Sequence, residues 1–182
     1  RRLREQYVRS VEGIEALLVQ RTSDPVLTYI AEATGASEGA KKIAKMDHLV
    51  CFSAGMLALG ARGQRKARDL QLAKELAETC HEMYARTGTH VAPEIVRFSE
   101  RDMVVDAKSK HALLRPEAIE SWFILYRVTG DPIYREWGRE LVDALEAHAR
   151  VPEGGYASLV DAWAENSAKR DSQESFFLAE TL

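Results

Sequence analysis

The stretch HLVCFSAGMLALGA, residues 48–61, decides the fold class. Its apolar residues lie on nearly every side of a helix rather than along one stripe, and a helix without a polar face is predicted to be buried. Residues 65–86 follow as a second helix whose apolar side chains lie on one side only. The sequence therefore predicts a buried helix paired with an exposed, amphipathic one.

The same pairing recurs in the second half of the chain. Residues 116–128 are rich in aromatic and apolar side chains, and residues 132–148 carry theirs on one side. The connection Thr129-Gly130-Asp131-Pro132 has a glycine suited to ending a helix, an aspartate suited to capping the next one, and a proline suited to its first turn. This connection predicts two consecutive helices joined by a tight turn.

Two further segments complete the helical pattern. Apolar residues at three- and four-residue intervals predict an amphipathic helix over residues 2–21, which Asp24-Pro25 would end. The apolar stretch 173–182 predicts the start of another buried helix. The inner layer is expected to contain residues 48–61, 116–128 and 173–182, and the outer layer residues 2–21, 65–86 and 132–148.

Short β-prone pieces separate the helices. They are residues 26–30, 94–98 and 103–105, together with a glycine turn at 154–156. Residues 33–46, which contain two glycines and three lysines, are predicted to be an exposed loop. Alternating buried and exposed helices indicate an all-α fold, either an α/α toroid or an open helical solenoid. No repeat of fixed period is visible, which weakens the solenoid alternative.

The bulk properties favour a soluble globular domain. The chain has 182 residues, 46% of them hydrophobic, and a net charge of −3. No basic stripe points to nucleic acid, and no apolar run approaches the roughly 18 residues of a membrane span. The chain opens with Arg1-Arg2-Leu3-Arg4-Glu5, without an initiator methionine or signal peptide, and stops inside a helical pattern. We expect the 182 residues to come from a longer protein.

Several enzyme classes lack their sequence signatures here. There is no Walker phosphate loop, no dinucleotide-binding glycine motif, no HExxH zinc motif and no CxxC pair. The serine and histidine residues lack the glycine context of a nucleophile elbow. Nucleotide-dependent and zinc-dependent chemistry is therefore not predicted.

The segment Arg115-Pro116-Glu117 is the most informative candidate site. Pro116 suits the first turn of a helix, and a carboxylate directly after it would be stabilised by the helix dipole. The ordinary interpretation is a capping acid. The functional interpretation is a general base at the mouth of a helical ring, with Arg115 beside it to orient a sugar hydroxyl.

Other candidates carry the same ambiguity. His48 begins the most apolar helix and could be a structural histidine or a site residue. Glu180 lies in an apolar segment with Phe176, where a buried acid would need a partner. Cys51 and Cys80 could be buried free thiols or a disulfide, and composition alone favours the thiols.

Taken together, the motifs resemble those of the class I α-mannosidases of glycoside hydrolase family 47. The matches are collinear and cover nearly the whole chain, which makes the set specific although each motif alone is weak. The matching stretches are MDHLVCF (46–52), LALG (57–60), ETC (78–80), PEIV (93–96), LLRPE (113–117), TGDP (129–132) and ESFFLAETL (174–182).

This resemblance implies the fold, the reaction and the setting. The fold would be part of an (α/α)7 barrel with a few short β pieces, and residues 1–182 would be a single partial domain from its C-terminal half. The activity would be inverting, calcium-dependent hydrolysis of α-1,2-linked mannose on high-mannose N-glycans by a monomeric catalytic domain. The location would be the lumen of the endoplasmic reticulum or Golgi, in a parent that is a type II membrane protein or secreted.

The resemblance also implies residue roles. Glu117 matches the proposed catalytic base, and His48, Arg115, Phe176 and Glu180 match substrate-binding residues. Glu117 and Glu180 would contact calcium indirectly, through water. Cys51 and Cys80 match the family's disulfide, which reverses the expectation from composition.

Parts of the family's active site have no counterpart here. The general-acid glutamate and a further catalytic aspartate lie upstream of the matched region, and the calcium-binding threonine lies downstream. We therefore expect the 182-residue chain alone to be inactive. The alternatives are a lectin-like homologue that binds mannose glycans of misfolded glycoproteins and, less well supported, a helical-repeat interaction module.

Overall fold

Helices dominate the computed structural model, which describes residues 2–35 and 39–182. The α-helices are α1 (Arg2–Leu17), α2 (Phe52–Gly60), α3 (Lys66–Ala85), α4 (Glu117–Thr129) and α5 (Ile133–Ala144). The 3-10 turn His48–Cys51 leads into α2, and the wide π-helical turns Leu145–Ala149 and Phe177–Thr181 follow α5 and end the chain. In the described part of the chain, no helix is both long and apolar enough to cross a membrane.

Short strands connect the helices. They are β1 (Val19–Arg21), β2 (Thr28–Ile30), β3 (Glu32–Ala33), β4 (Lys42–Ile43), β5 (Lys45–Asp47), β6 (Ile95–Phe98) and β7 (Met103–Val105). All pairings are antiparallel: β1 with β2, β3 with β4, and β5-β6-β7 as a three-stranded sheet. The strands predicted at 26–30, 94–98 and 103–105 are thus present.

Helices α2 and α4 pack closely where Gly55 meets Ser121. The backbone N–H of Gly55 donates to Ser121 Oγ at 3.0 Å, and Ser121 Oγ donates to the carbonyl of Cys51 at 2.7 Å. A Cβ atom on Gly55 would meet Ile124 Cδ1 at 2.9 Å and the Ser121 backbone Cα at 3.3 Å. The buried pair of helices therefore depends on a small residue at this crossing.

Gly55→Ala is expected to destabilise the protein by about 1–3 kcal/mol, since the new methyl group overpacks the crossing. Gly138→Ala is the matched control, because nothing lies within 4 Å of the Cβ that it would add inside α5. The control is expected to stabilise by about 0.5–1 kcal/mol through helix propensity. Chemical denaturation measures both, and equal effects in the two variants would contradict the close-packing account.

The amphipathic helices pack against the buried pair as expected. α3 lies along α2 and α4, and α5 lies along α4. Trp122 of α4 is fully buried between them and meets Tyr84 of α3 edge-on at 5.3 Å and Trp137 of α5 at 5.8 Å. His81 stacks on Trp137 at 4.4 Å and accepts or donates a hydrogen bond at Glu140. This aromatic cluster joins the two layers.

A disulfide joins the α2 region to α3. Cys51 and Cys80 are bonded, with their Cα atoms 5.8 Å apart, inside the range that a bridge requires. Both residues are fully buried. The pairing implied by the family resemblance is therefore present in the structure, and the free-thiol expectation from composition is wrong.

The first helix ends earlier than its sequence pattern predicts. α1 stops at Leu17, and Val19–Arg21 form a strand that pairs with Thr28–Ile30. The predicted helix over residues 2–21 is thus wrong at its C-terminal end, because tertiary pairing with β2 outweighs the weak helical preference of these residues. α1 is held to α3 by Arg65, which pairs with Glu15 at 2.8 Å and with the fully buried Asp69 at 2.9 Å.

The loop predicted over residues 33–46 is only partly a loop. Lys42–Ile43 and Lys45–Asp47 are strands, and Met46 is fully buried against the core. The prediction followed the glycines and lysines and missed the apolar Ile43 and Met46 between them, which mark a half-buried strand. Residues 36–38 of that loop lie outside the described residues.

Asp106 secures the end of the three-stranded sheet. Its carboxylate accepts hydrogen bonds from the backbone N–H of Lys108 at 2.9 Å and from Arg97 Nε at 2.6 Å. The Lys108 N–H outweighs burial and, with the Arg97 guanidinium, holds the pKa of the Asp106 carboxyl below its usual value of 3.8. The charged form of Asp106 is therefore the stabilising form.

Asp106→Asn is expected to lower stability by about 1 kcal/mol near neutral pH, because a charge-assisted hydrogen bond becomes a neutral one. A depressed carboxyl pKa stabilises the fold above the unfolded value and loses this effect as pH falls through the folded value. The difference in unfolding free energy between wild type and Asp106→Asn should therefore shrink as the pH falls below 3.8. Denaturation midpoints between neutral and acid pH measure it, and a gap that widens toward acid would contradict the assignment.

One face of the buried helices is not covered by the described chain. Leu49 and Leu59 on the α2 side are 55% and 54% exposed, and Phe123 of α4 is 65% exposed. The apolar pattern of residues 48–61 predicts burial on all sides, and the exposed flank is the side over which no described element packs. The predicted last helix is also shorter than expected, with helical geometry from Ser175 to Thr181 rather than over residues 173–182.

Candidate functional site

The loop that enters α4 is fixed by Glu94. Its two carboxylate oxygens accept from the backbone N–H of Leu113 at 3.3 Å and from Arg115 Nε at 2.7 Å. The Glu94 carbonyl also accepts from the backbone N–H of His48 at 2.9 Å. Leu114 has a positive φ of 59°, a conformation that a branched residue adopts only when its surroundings impose it. Glu94 therefore ties together the two segments that carry Arg115 and His48.

His48 connects α3 to the first residue of α4. Its Nδ1 lies 2.7 Å from Glu117 Oε2, and its Nε2 lies 2.6 Å from the Tyr84 hydroxyl. The His48 side chain is 3% exposed and that of Glu117 13% exposed. His48 is therefore both a satisfied buried histidine and a direct partner of the candidate base, so the two interpretations offered by the sequence are compatible.

The local field keeps Glu117 ionised. Burial alone would raise the pKa of the Glu117 carboxyl, but the hydrogen bond from His48, the Glu117 backbone N–H and the Arg115 charge outweigh it. The pKa of Glu117 therefore lies below its usual value. Its position in the first turn of α4 acts in the same direction, because the helix dipole stabilises a negative charge there. An ionised carboxylate can accept a proton from water.

Arg115 and Phe176 form the second half of the site. The guanidinium carbon of Arg115 lies 5.2 Å from the centre of the Phe176 ring, a cation–π arrangement. Thr181 donates a hydrogen bond to the carbonyl of Leu114 at 3.3 Å, which holds the C-terminal helical turn beside the α4 entrance. Phe177 is fully buried and anchors that turn, so Phe176 is left half-buried next to Arg115.

The environment of Glu180 differs from the predicted one. The sequence suggested a buried acid, but Glu180 is exposed in the structure, because the last helical turn buries only the side that carries Phe177. Glu180 still influences the site through charge. Burial and the negative charges of Glu180 and Glu117 raise the pKa of Glu120. Glu120 is thus a third carboxylate that the charges of the two predicted ones affect.

Four of the predicted residues therefore meet at the start of α4 in two contacts, His48 with Glu117 and Arg115 with Phe176. Sequence reasoning assigned no role to Glu94, Tyr84 or Glu120. Glu120 could have been found, because it lies three residues after Glu117 and so on the same helical face. Tyr84 and Glu94 carry no local signal, since only the tertiary fold brings them to His48 and Arg115.

The carboxylates suit a calcium ion bound through water better than one bound directly. Calcium takes about six to eight oxygen ligands, and Glu117, Glu120 and Glu180 supply hard oxygens whose mutual repulsion a cation would relieve. Within residues 2–35 and 39–182, however, no group of three His, Cys, Asp or Glu side chains is placed to ligate one ion directly.

Comparison with known proteins identifies relatives of this chain. The chain is 42% identical to the human endoplasmic reticulum mannosyl-oligosaccharide 1,2-alpha-mannosidase, over 99% of this chain and 26% of that protein. It is 46% identical to the mannosyl-oligosaccharide alpha-1,2-mannosidase IA of Spodoptera frugiperda, over 89% of this chain and 24% of that protein. The chain thus spans about a quarter of the length of these relatives.

The fold has a solved counterpart. The α-1,2-mannosidase from Trichoderma reesei superimposes with a TM-score of 0.86, at 23% identity, over 98% of this chain and 40% of that one. The described chain is accordingly part of an (α/α)7 barrel, and the fold class predicted from sequence is confirmed. A family model, glycosyl hydrolase family 47, matches residues 1–182. The chain therefore belongs to glycosyl hydrolase family 47.

Proposed function

We propose that the protein is an inverting α-1,2-mannosidase that removes mannose from high-mannose N-glycans and uses a calcium ion. One observation carries this proposal: an ionised Glu117 at the start of α4, held by His48 and adjacent to the Arg115–Phe176 pair. Family membership and the names of the relatives support α-1,2-mannosidase activity.

Glu117 would act as the general base. One carboxylate oxygen is occupied by His48, and the remaining lone pairs can accept a proton from a water molecule. That water attacks the anomeric carbon on the face opposite to the departing sugar oxygen, so the configuration inverts. An inverting enzyme keeps its acid and base about 6.5–9.5 Å apart to leave room for the water. The family resemblance implies that this acid lies upstream of these residues.

Arg115 and Phe176 would position the sugar. The Arg115 guanidinium is held by Glu94 at 2.7 Å and lies over the Phe176 ring, so its donors have a fixed direction toward a sugar hydroxyl. The Phe176 ring offers a flat apolar surface that suits the apolar face of a pyranose. Glu180, exposed at the end of the chain, would contact the sugar or a water bound to calcium.

Calcium would be held at this end of the helices by Glu117 and Glu180 through water molecules. When bound, it supplies a hard, divalent charge that attracts sugar hydroxyl oxygens and offsets the repulsion among the carboxylates. The groups that ligate it directly would come from outside the described residues.

Two observations support a setting in the secretory pathway. A fully buried disulfide persists in an oxidising compartment, and the human relative is named for the endoplasmic reticulum. We propose that the protein acts as a monomer in the lumen of the endoplasmic reticulum or Golgi, in a parent that is secreted or a type II membrane protein.

The test is release of mannose from α-1,2-linked mannobiose by the full-length protein. We expect cleavage of this disaccharide, no cleavage of the α-1,3 and α-1,6 isomers, and loss of activity on chelation that calcium restores. The 182 residues alone are expected to be inactive. Binding of high-mannose glycans without release of mannose would instead establish the lectin-like alternative, and cleavage that is indifferent to linkage would contradict the proposal.

A further inference from the structure

We propose that Tyr84 is a positioning residue for this site: its hydroxyl holds His48 in the tautomer whose Nδ1–H donates to Glu117. The effect on turnover rests on the proposed function, whereas the tautomer is a property of the folded protein. Tyr84 itself does not touch Glu117 in the contacts described above, so it would act only through His48.

The surroundings fix the Tyr84 ring. It lies four residues after Cys80 on α3, and the disulfide ties Cys80 to Cys51, three residues after His48. The Tyr84 ring meets the His48 ring edge-on at 5.7 Å and Trp122 edge-on at 5.3 Å. The disulfide and both rings hold the Tyr84 ring in place, with its hydroxyl 2.6 Å from His48 Nε2.

The hydrogen-bond pattern assigns the protons. A glutamate carboxylate at neutral pH can only accept hydrogen bonds, so the 2.7 Å contact between Glu117 Oε2 and His48 Nδ1 needs a proton on Nδ1. In neutral His48 the other nitrogen, Nε2, is then an acceptor, and the Tyr84 hydroxyl at 2.6 Å donates to it. The opposite tautomer would set the Nδ1 lone pair against a carboxylate. Doubly protonated His48 would leave the Tyr84 hydrogen without an acceptor among the described residues.

Burial strengthens this assignment. Tyr84 is 5% exposed and His48 2% exposed, so water cannot readily replace either partner. Burial, followed by the negative charges of Glu117 and Glu94, raises the pKa of the Tyr84 hydroxyl far above its usual value. Tyr84 therefore stays protonated and remains a donor. Besides Glu117 itself, the charged groups that act on the hydrogen-bonded residues Tyr84, His48 and Glu117 are Glu94 and Arg115.

Removal of the hydroxyl should release this constraint. In Tyr84→Phe the ring shape and its contact with Trp122 remain, but His48 Nε2 faces a hydrocarbon edge. An unpaired buried acceptor costs free energy, so His48 would redistribute toward the Nε2–H tautomer or turn its ring. Either change weakens the hydrogen bond to Glu117 and misplaces the base. Tyr29→Phe is the matched control, because Tyr29 is equally buried but stacks on Phe98 at 3.9 Å.

The experiment uses the full-length protein labelled with ¹⁵N-histidine, with His48→Asn to assign the His48 signals. Long-range ¹H–¹⁵N correlation spectra report which ring nitrogen carries the proton. We expect Nδ1–H in the wild type and in Tyr29→Phe, and loss of that pattern in Tyr84→Phe. With α-1,2-linked mannobiose, kcat of Tyr84→Phe should fall about 10–100-fold, by analogy with the loss when the orienting partner of a metal-ligating histidine is removed, with KM little changed.

The wild-type spectrum alone can overturn the inference, since an Nε2–H His48 contradicts the assignment without any variant. In the variant, a tautomer change without a fall in kcat, or a fall in kcat with the Nδ1–H pattern intact, would also overturn it. If the wild type releases no mannose, the proposed function fails. The spectra then still decide whether Tyr84 sets the His48 tautomer.

Discussion

Glu117→Gln in the full-length protein is expected to lower kcat by roughly 10²- to 10⁴-fold, the usual contribution of a general base. Glutamine keeps the shape of the side chain and can still accept a hydrogen bond from His48 at the position of Oε2. It cannot take a proton from water at any pH of interest. Glycan binding should therefore survive while turnover is lost, and initial-rate kinetics with isothermal titration of the substrate separate the two effects.

Glu136→Gln is the matched control for this variant. Glu136 also lies in the first turn of a helix, but that helix is α5 and the residue is exposed. Its substitution should leave kcat and KM little changed. Appreciable release of mannose by Glu117→Gln would show that another residue activates the water.

Removal of the disulfide is expected to lower the free energy of unfolding by about 3–4 kcal/mol, the chain-entropy value for a loop of this length. The bridge closes a sequence separation of 29 residues. Cys51→Ala combined with Cys80→Ala should show this loss in chemical denaturation. The site should loosen as well, because the bridge joins the segment of His48 to the helix of Tyr84.

Reducing agent provides the control for this prediction. It should lower the stability of the wild type toward that of the double variant and leave the double variant unaffected. Equal stability of wild type and double variant under oxidising conditions would show that the bridge contributes nothing to the fold.

The helical architecture was predictable because its signals are local. Gly130 adopts φ 75° at the end of α4, and the Asp131 carboxylate accepts from the backbone N–H of Ile133 at the start of α5, as Thr129-Gly130-Asp131-Pro132 predicts. The errors lie in segments whose secondary structure is determined by tertiary contacts. Val19–Arg21 became a strand through its pairing with β2, which no local pattern specifies.

Exposure was harder to predict than helix position. The apolar pattern of residues 48–61 correctly predicts a helix, but Leu49 and Leu59 are more than half exposed in this structure. Hydrophobic periodicity indicates which helix faces are suited to burial, but it does not indicate which element packs against them. The same limit applies to Glu180, whose apolar neighbours suggested burial that the last helical turn does not provide.

Part of the candidate site could likewise be predicted from local sequence, and part could not. Arg115, Pro116 and Glu117 are consecutive, so their placement at a helix start follows from sequence alone. The contacts of His48 with Tyr84, and of Arg115 with Glu94, join residues 36 and 21 positions apart, and only the folded chain reveals them. The family resemblance supplied roles for Phe176 and Glu180 that composition and spacing could not.

The stereochemistry of the released sugar tests the central claim most directly. If Glu117 activates water for attack opposite to the leaving group, hydrolysis of an α-linked mannose must first release β-mannose. Time-resolved ¹H NMR of α-1,2-linked mannobiose with the full-length protein, recorded faster than mutarotation, distinguishes the two anomers. The account predicts β-mannose as the first product. Initial release of α-mannose would indicate a retaining mechanism and would contradict the role assigned to Glu117.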